Sequence, residues 1–432
     1  MRSKKPFSAG KPTFAIFVTL LLALAIAAGP AEAQNYKIKV LHTFHGKDGA
    51  FPVGQLTRDA EGNFYSTTEQ GGTGVCVSVG CGTVFKMDSA GKLIWSYSFH
   101  GKDGFEPVAG VLRDAEGNLY GTTVWGGTVP TNSNVGNGVV FKLDTARQET
   151  VLHRFKGCNV NGPHDGYFPE SLLVMDASHN LYGTTLLGGV PFQCQGTAFA
   201  LSSAGKETML HRFSGGADGG NPYAGMTLNA AGTLYGVASS GGNSGSGLAF
   251  QMGTKGGETV LYNFGGGSDG ARPGFLVADS AGNLYGTTAG GGSNCGVNGC
   301  GTVFELSPSG SGWTQKTLYV FCQKSQCADG YGPGGPLAFD KAGNIYGTTD
   351  NGGYTNGGGC RAGCGVVFKL DPSGNETVLY AFTESSDGAY PLAGLTMDDR
   401  GNLFGTAQIG GDLKCPAPGG NQGCGVVFEL TP

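Results

Sequence analysis

Gly117-Asn-Leu-Tyr-Gly-Thr-Thr123 is one of seven copies of a single heptapeptide. The others open at Gly62 (GNFYSTT), His179 (HNLYGTT), Gly232 (GTLYGVA), Gly282 (GNLYGTT), Gly343 (GNIYGTT) and Gly401 (GNLFGTA). Their central aromatics, Tyr65, Tyr120, Tyr182, Tyr235, Tyr285, Tyr346 and Phe404, lie 50 to 62 residues apart, and a Gly-Gly pair begins six residues after each. Self-similarity at such a period marks a repeat architecture, and it fixes the frame for everything else in the chain.

Outward from the heptapeptide, each period divides into four strand patterns separated by turn signals. An apolar first strand runs into a turn such as Val111-Leu-Arg-Asp-Ala-Glu-Gly-Asn118, where Asp initiates and Gly supplies the positive φ of a tight hairpin. The heptapeptide is the second strand. The third is of the type Gly-x-Val-Phe-x-Leu, opening at 82, 138, 196, 247, 301, 365 and 425. The fourth resembles Glu149-Thr-Val-Leu-His-Arg-Phe155 and closes on Phe44, Phe99, Phe155, Phe213, Phe264, Phe321 and Phe382. Four strands in each of seven periods predict an all-β, seven-bladed β-propeller, because a lone four-stranded sheet cannot bury both faces and radial stacking can. The last repeat stops at Pro432 without a fourth strand, while Tyr36 to Phe44 reads as a stray fourth strand. The two are expected to share a blade and close the ring. A linear solenoid would need polar capping repeats, and none is visible.

Composition agrees. Gly accounts for 82 of 432 residues, far above the usual ~7%, which excludes a helix-rich domain. Residues 1–33 read as a secretory signal: Arg2, Lys4, Lys5 and Lys11 precede an apolar run from Phe14 to Ala28, and Ala31-Glu-Ala33 supplies a cleavage pattern. A retained membrane anchor is the weaker reading, since a span needs ~20 apolar residues. Residues 34–432 are then the propeller. Removing four Lys/Arg and one acid leaves 23 basic against 31 acidic residues, a net of −8. Such a chain is repelled by nucleic acid and anionic lipid, so neither is an expected partner. A monomer without a membrane span in the mature chain is expected, secreted or periplasmic. No cofactor or metal is expected.

After each fourth strand comes Asp-Gly-x-x-Pro, with Asp48, Asp103, Asp165, Asp218, Asp269, Asp329 and Asp387. Seven carboxylates spread round a ring cannot converge on one ion, which needs oxygens within ~2.3–2.6 Å of it, so each reads as a turn residue bonding its own backbone. His42, His153 and His211 align with Tyr97, Tyr262, Tyr319 and Tyr380, two residues before the closing Phe. A position shared by His and Tyr reads as packing with a polar tip. The twelve cysteines fall into six local pairs: Cys76/Cys81, Cys158/Cys194, Cys295/Cys300, Cys322/Cys327, Cys360/Cys364 and Cys415/Cys424. In an exported chain these read as disulfides, and none has the two-residue spacing of a zinc knuckle.

All twelve lie in second-to-third-strand loops or blade-to-blade linkers, which emerge on one face, opposite the tight hairpins. From Gly-Gly to the third strand the intervening residues number 9, 10, 6, 4, 8, 11 and 13, so that face is also the variable one. Variation on one face of a repeat fold marks the surface that binds.

The combined pattern, DxxGNLYGTT, Gly-Gly, GxVFxL, TVLYxF and DGxxP, resembles the GloVer tandem repeat of secreted bacterial proteins over residues 36 to 432. The resemblance implies a propeller and carries over no catalytic residues. Anchored members continue into a C-terminal anchor, whereas this chain ends on the repeat, which favours release. WD-repeat strand ends and sialidase turns are absent, and the Tyr and Trp that follow Gly-Gly in kelch repeats are missing.

Two functions are weighed for the loop face. One is a non-enzymatic binding or scaffold module for carbohydrate, protein or cell-envelope components, with Phe51, Phe105, Trp125, Tyr167, Phe168, Phe192, Tyr331, Tyr354 and Tyr390 as aromatic ligand contacts. The other is a polysaccharide hydrolase or lyase, with Glu106, His164, Glu170, Asp350, Glu384 and Asp412 as the non-repeating acid/base candidates. A metal-dependent lactonase-like propeller would instead need Glu, Asn and Asp facing the channel.

Overall fold

A computed structural model describes residues 1, 36–76, 80–127, 136–158, 165–292, 299–353, 360, 362–415 and 423–432. The signal-peptide reading therefore falls outside the described residues. From Asn35 to Pro432 the chain forms one compact unit, built of seven four-stranded antiparallel sheets in which consecutive strands are neighbours. Among the described residues no helix is long and apolar enough to cross a membrane.

The ring closes as the chain ends predict. Strand Lys37–Thr43 pairs with Val426–Thr431 and completes the sheet that also contains Leu403–Ala407 and Thr396–Met397. Closure leaves no open blade edge in this sheet's place in the ring.

Each letter of the heptapeptide has a physical task. In the turn Asp59 to Asn63, the backbone and side-chain amides of Asn63 both donate to Asp59, which also accepts the Tyr65 hydroxyl at 2.9 Å. The same set recurs at Asp114, Asp176, Asp279 and Asp340. The central Gly is needed because the third-strand Phe lies across it: a Cβ on Gly121 would stand 2.6 Å from the Phe141 ring. The first Thr ties blade to blade, Thr67 donating to Ala109 O at 2.8 Å and Thr348 to Ala393 O at 3.0 Å. The second Thr, as at Thr68 and Thr123, donates to the carbonyl two residues on, at 2.8 Å.

The closing Phe of each blade is the main inter-blade contact. It meets the third-strand Phe of the next blade edge to face or tilted, with ring centroids 5.3 Å apart for Phe44/Phe85, 5.1 Å for Phe99/Phe141 and 5.2 Å for Phe382/Phe428. All seven seams carry this pair. Each buries two large side chains, and the ring geometry adds ~0.5–1.5 kcal/mol beyond area burial.

The innermost strands are shorter than the apolar pattern suggests. They span two residues in four blades, as in Leu112–Arg113, yet eight or nine in Ala271–Ala278 and Tyr331–Phe339. Around the axis they have little room, and six blades line a cavity of about 260 Å³ between residues such as Gln55, Leu172 and Phe275.

Candidate functional site

The linkers set the site. In all seven, the turn Asp accepts the backbone N–H of a residue at the linker's start, as His100 N–H to Asp103 at 2.7 Å. In six, the Asp is also hydrogen-bonded to the Tyr hydroxyl or His Nε2 of the preceding outer strand, at 2.7 to 3.2 Å, through its other oxygen at Asp48 and Asp103 and through the same oxygen in the remaining four. The aligned His and Tyr are thus polar tips on these turns.

Three residues after the turn Asp, immediately before the Pro, the backbone turns left-handed in every blade. Phe51, Glu106, Phe168, Asn221, Arg272 and Tyr390 have φ of 54° to 58°, and Gly332 has 65°. A residue before Pro ordinarily takes an extended φ, so this conformation is held from outside. Each of these residues donates its N–H to the carbonyl just ahead of the preceding blade's third strand, as Glu106 to Cys81 O at 3.0 Å and Tyr390 to Cys364 O at 2.9 Å. In most blades its own carbonyl accepts from the residue that follows the second strand, as Glu69 N–H to Phe51 O at 2.9 Å. The scaffold is constant, and only the side chains differ.

Those side chains are unlike from blade to blade. Glu69, Glu106 and Glu170 stand on three consecutive blades and feel one another's charge: burial first, then Glu106, raises the Glu69 carboxyl, and burial first, then Glu69, pushes Glu170 up to about 7. Burial also raises Glu106, while a hydrogen bond from the Trp125 side chain partly offsets it. Gln408, from the last blade, bonds Glu69. Asp350 is pushed up to about 6 by burial, and lines a cavity of about 770 Å³ together with Tyr223, Arg272 and Tyr331.

Beside the carboxylates lies an aromatic group. Trp125 stacks on the buried Phe105 at 6.3 Å and meets the edge of Phe168 at 4.3 Å, and Phe168 contacts Tyr167 at 4.5 Å. Phe105 and Phe51 are buried and pack the linkers down, whereas Trp125, Tyr167 and Phe168 keep part of their surface in solvent. Phe192 is 85% exposed, and Val75 and Leu413 also project from second-to-third-strand loops. Tyr331 and Tyr390 are half-buried near Asp350; after burial, Asp350 raises the Tyr331 hydroxyl, and Glu384 first, then Asp350, raises that of Tyr390.

Not every sequence candidate joins this group. Asp412 is paired with His45 Nδ1 at 2.8 Å on the surface. Glu384 has a buried Oε2 without a partner, close to the Cys360–Cys364 disulfide. His164 and Tyr354 lie outside the described residues. Sequence reasoning passed over Glu69, Asn221 and Arg272; the signal was there, as the one variable position before an invariant Pro or after the second strand. Asn221 offers no free amide, since it donates to Leu186 O and accepts from Ser240.

Five disulfides, Cys76–Cys81, Cys158–Cys194, Cys322–Cys327, Cys360–Cys364 and Cys415–Cys424, join the expected partners. Cys300 is disulfide-bonded as well, and Cys295 lies outside the described residues. They stitch the loop face and fit an oxidising environment.

A ring of seven repeat-encoded blades, with a constant scaffold and a variable, disulfide-braced face, defines a tandem-repeat β-propeller protein. The sequence matches the Gloeobacter/Verrucomicrobia repeat over residues 31–192, 76–298 and 267–432, and the chain belongs to that family. A search of the curated proteins finds no match. Among solved structures the chain is similar to PhoX of Pseudomonas fluorescens (12% identity, 92% of this chain and 95% of the other, TM-score 0.48). It is also similar to a gluconolactonase of Xanthomonas campestris (12%, 92% and 89%, TM-score 0.40) and to the N-terminal domain of Nup159 (10%, 92% and 96%, TM-score 0.47). Likenesses at this level carry nothing about chemistry.

Proposed function

We propose that the chain works outside the cytoplasm as a binding module, its loop face taking up a carbohydrate chain of the cell envelope or its surroundings. The observation that supports this most is the Trp125–Phe168–Tyr167 group set beside Glu106 and Glu170. Partly exposed aromatic faces stack on the apolar faces of sugar rings, while fixed carboxylates accept their hydroxyls. The exposed Val75, Phe192 and Leu413 project from second-to-third-strand loops of blades other than that of Trp125. The test is binding of the purified protein to glycan arrays and to isolated envelope polysaccharide. Trp125→Ala should weaken binding at least tenfold while the protein still melts cooperatively, and equal binding by the variant would overturn the reading.

A second reading has its own observation. Glu170 is pushed up to about 7 beside Glu69, which lets it hold a proton at neutral pH and donate it to a leaving oxygen. Hydrolase or lyase activity on the bound chain is the consequence. Release of reducing ends or unsaturated ends that vanishes in Glu170→Gln would support it, and none from any bound polysaccharide would remove it.

A further inference from the structure

We propose a divalent transition-metal site, suited to Zn²⁺, in the seam between two blades, with His153 Nε2, Asp165 Oδ2 and a Glu207 carboxylate oxygen as ligands. Among the described residues three groups bring such atoms within 4.8 Å of one another, and two of them include disulfide sulfurs, which do not ligate. The third is this one.

The other seams serve as internal controls. In six the tip of the outer strand is hydrogen-bonded to the turn Asp. At this seam that bond is not made. His153 Nε2 and Glu207 Oε1 are both buried without a hydrogen-bond partner; the equivalent Glu149, Glu258 and Glu376 leave the same oxygen unpartnered, so the His153 nitrogen, 3.3 Å from Asp165 Oδ2, is what sets this seam apart. A buried nitrogen and oxygen left in this way cost free energy unless something binds them. Two ligands each ~2.0–2.1 Å from a tetrahedral zinc lie about 3.3 Å apart, so the spacing is that of two corners of a zinc tetrahedron. The side chains of His153 and Asp165 are only 13% and 8% exposed. Asp165 Oδ1 is held by the Lys156 backbone N–H at 2.8 Å, the kind of outer contact that orients a ligating carboxylate. The His153 ring first, then Arg212 and Lys156, are the positive groups that act on Glu207, and they offset the mutual repulsion of the two carboxylates before an ion enters. His211, the equivalent on the next blade, bonds Asp218, which Ser214 also engages.

The experiment uses the mature protein stripped with a chelator and titrated with ZnCl₂ by calorimetry, with metal content measured after gel filtration. One equivalent should bind to the wild type. His153→Tyr places at this seam the residue that Tyr97, Tyr262, Tyr319 and Tyr380 already provide, so the blade should fold, and it should lose at least tenfold in affinity. His211→Tyr should bind as the wild type does. Co²⁺ should give a tetrahedral ligand-field band in the wild type that is absent from His153→Tyr. Absence of zinc binding in the wild type, or equal binding in His153→Tyr, would overturn the site.

Discussion

Val40 and Phe428, from the first and last strands of the described chain, are partners in one antiparallel ladder, and the next pair along it, Lys39 and Glu429, brings opposite charges to 3.9 Å. The exposed ion pair adds little. The seam is held instead by Phe44, fully buried against Phe85 of the following blade.

Phe44→Ala should therefore cost about 3–5 kcal/mol, and loss of residues 36–44 should abolish the cooperative thermal transition. Calorimetry checks both. A truncated chain melting like the intact one would show that the ring does not depend on this closure.

Glycine replacements should rank by what a Cβ meets. Gly401 has φ +85° with nothing within 4 Å, so Gly401→Ala should cost about 1 kcal/mol from conformation alone. Gly121→Ala drives a methyl into the Phe141 ring and should cost about 1–3 kcal/mol. Gly82, with φ +84°, would set its Cβ 2.5 Å from both Pro107 Cδ and Thr68 O, so Gly82→Ala combines the two penalties and should be the worst of the three. Denaturant midpoints give the order.

Stability should fall as pH rises from about 4.5 to 7.5. Burial first, then a neighbouring Asp, pushes Glu149 and Glu258 up to about 7, while Glu170 stands at about 7 and Asp350 at about 6. Their folded values lie above those of the unfolded chain, so across this window the native state binds more protons and loses stability with each one released. The hairpin acids act at the other end. Burial would raise Asp59 and its equivalents, but bonds from Asn and Tyr more than offset it and hold them low. Their contribution is present above the ordinary Asp value and lost below it. A stability maximum in mild acid follows, and Glu149→Gln should flatten the alkaline side. Melting curves from pH 3 to 9 test this.

Reduction should loosen the loop face before the ring. The disulfide loops are short, four to nine residues for four of the five, so each contributes only ~2 kcal/mol in the chain-entropy account. Treatment with a dithiol should speed proteolysis between the second and third strands while the main transition stays cooperative and shifts by about ten degrees. Global unfolding on reduction would count against it.

The repeat made much of this legible before any coordinates. Asp, Asn and Tyr of one hairpin are six residues apart at most, and a local pattern states their contacts directly. The same holds for the paired cysteines and for Phe44, whose place follows once seven fourth strands are counted. Other features were not legible. The left-handed residue before Pro runs against that position's ordinary preference, and it is imposed by a carbonyl of the preceding blade. Variation after the second strand marks the position of Glu69, but its nearness to Glu170 and Gln408 on other blades is not written in its own repeat. The nearness of His153 to Glu207 was not legible either, because the alignment of His153 with Tyr says nothing of the neighbouring blade.

The sequence alone determined the blade, the number of blades, the closure and the face that varies, since each rests on contacts within a repeat or on the count of repeats. Only the tertiary structure decided which side chains meet. Glu69, Glu106 and Glu170 lie on different blades, and so do His153 and Glu207. Their proximity comes from the angle at which neighbouring blades pack, and no spacing along the chain encodes that angle.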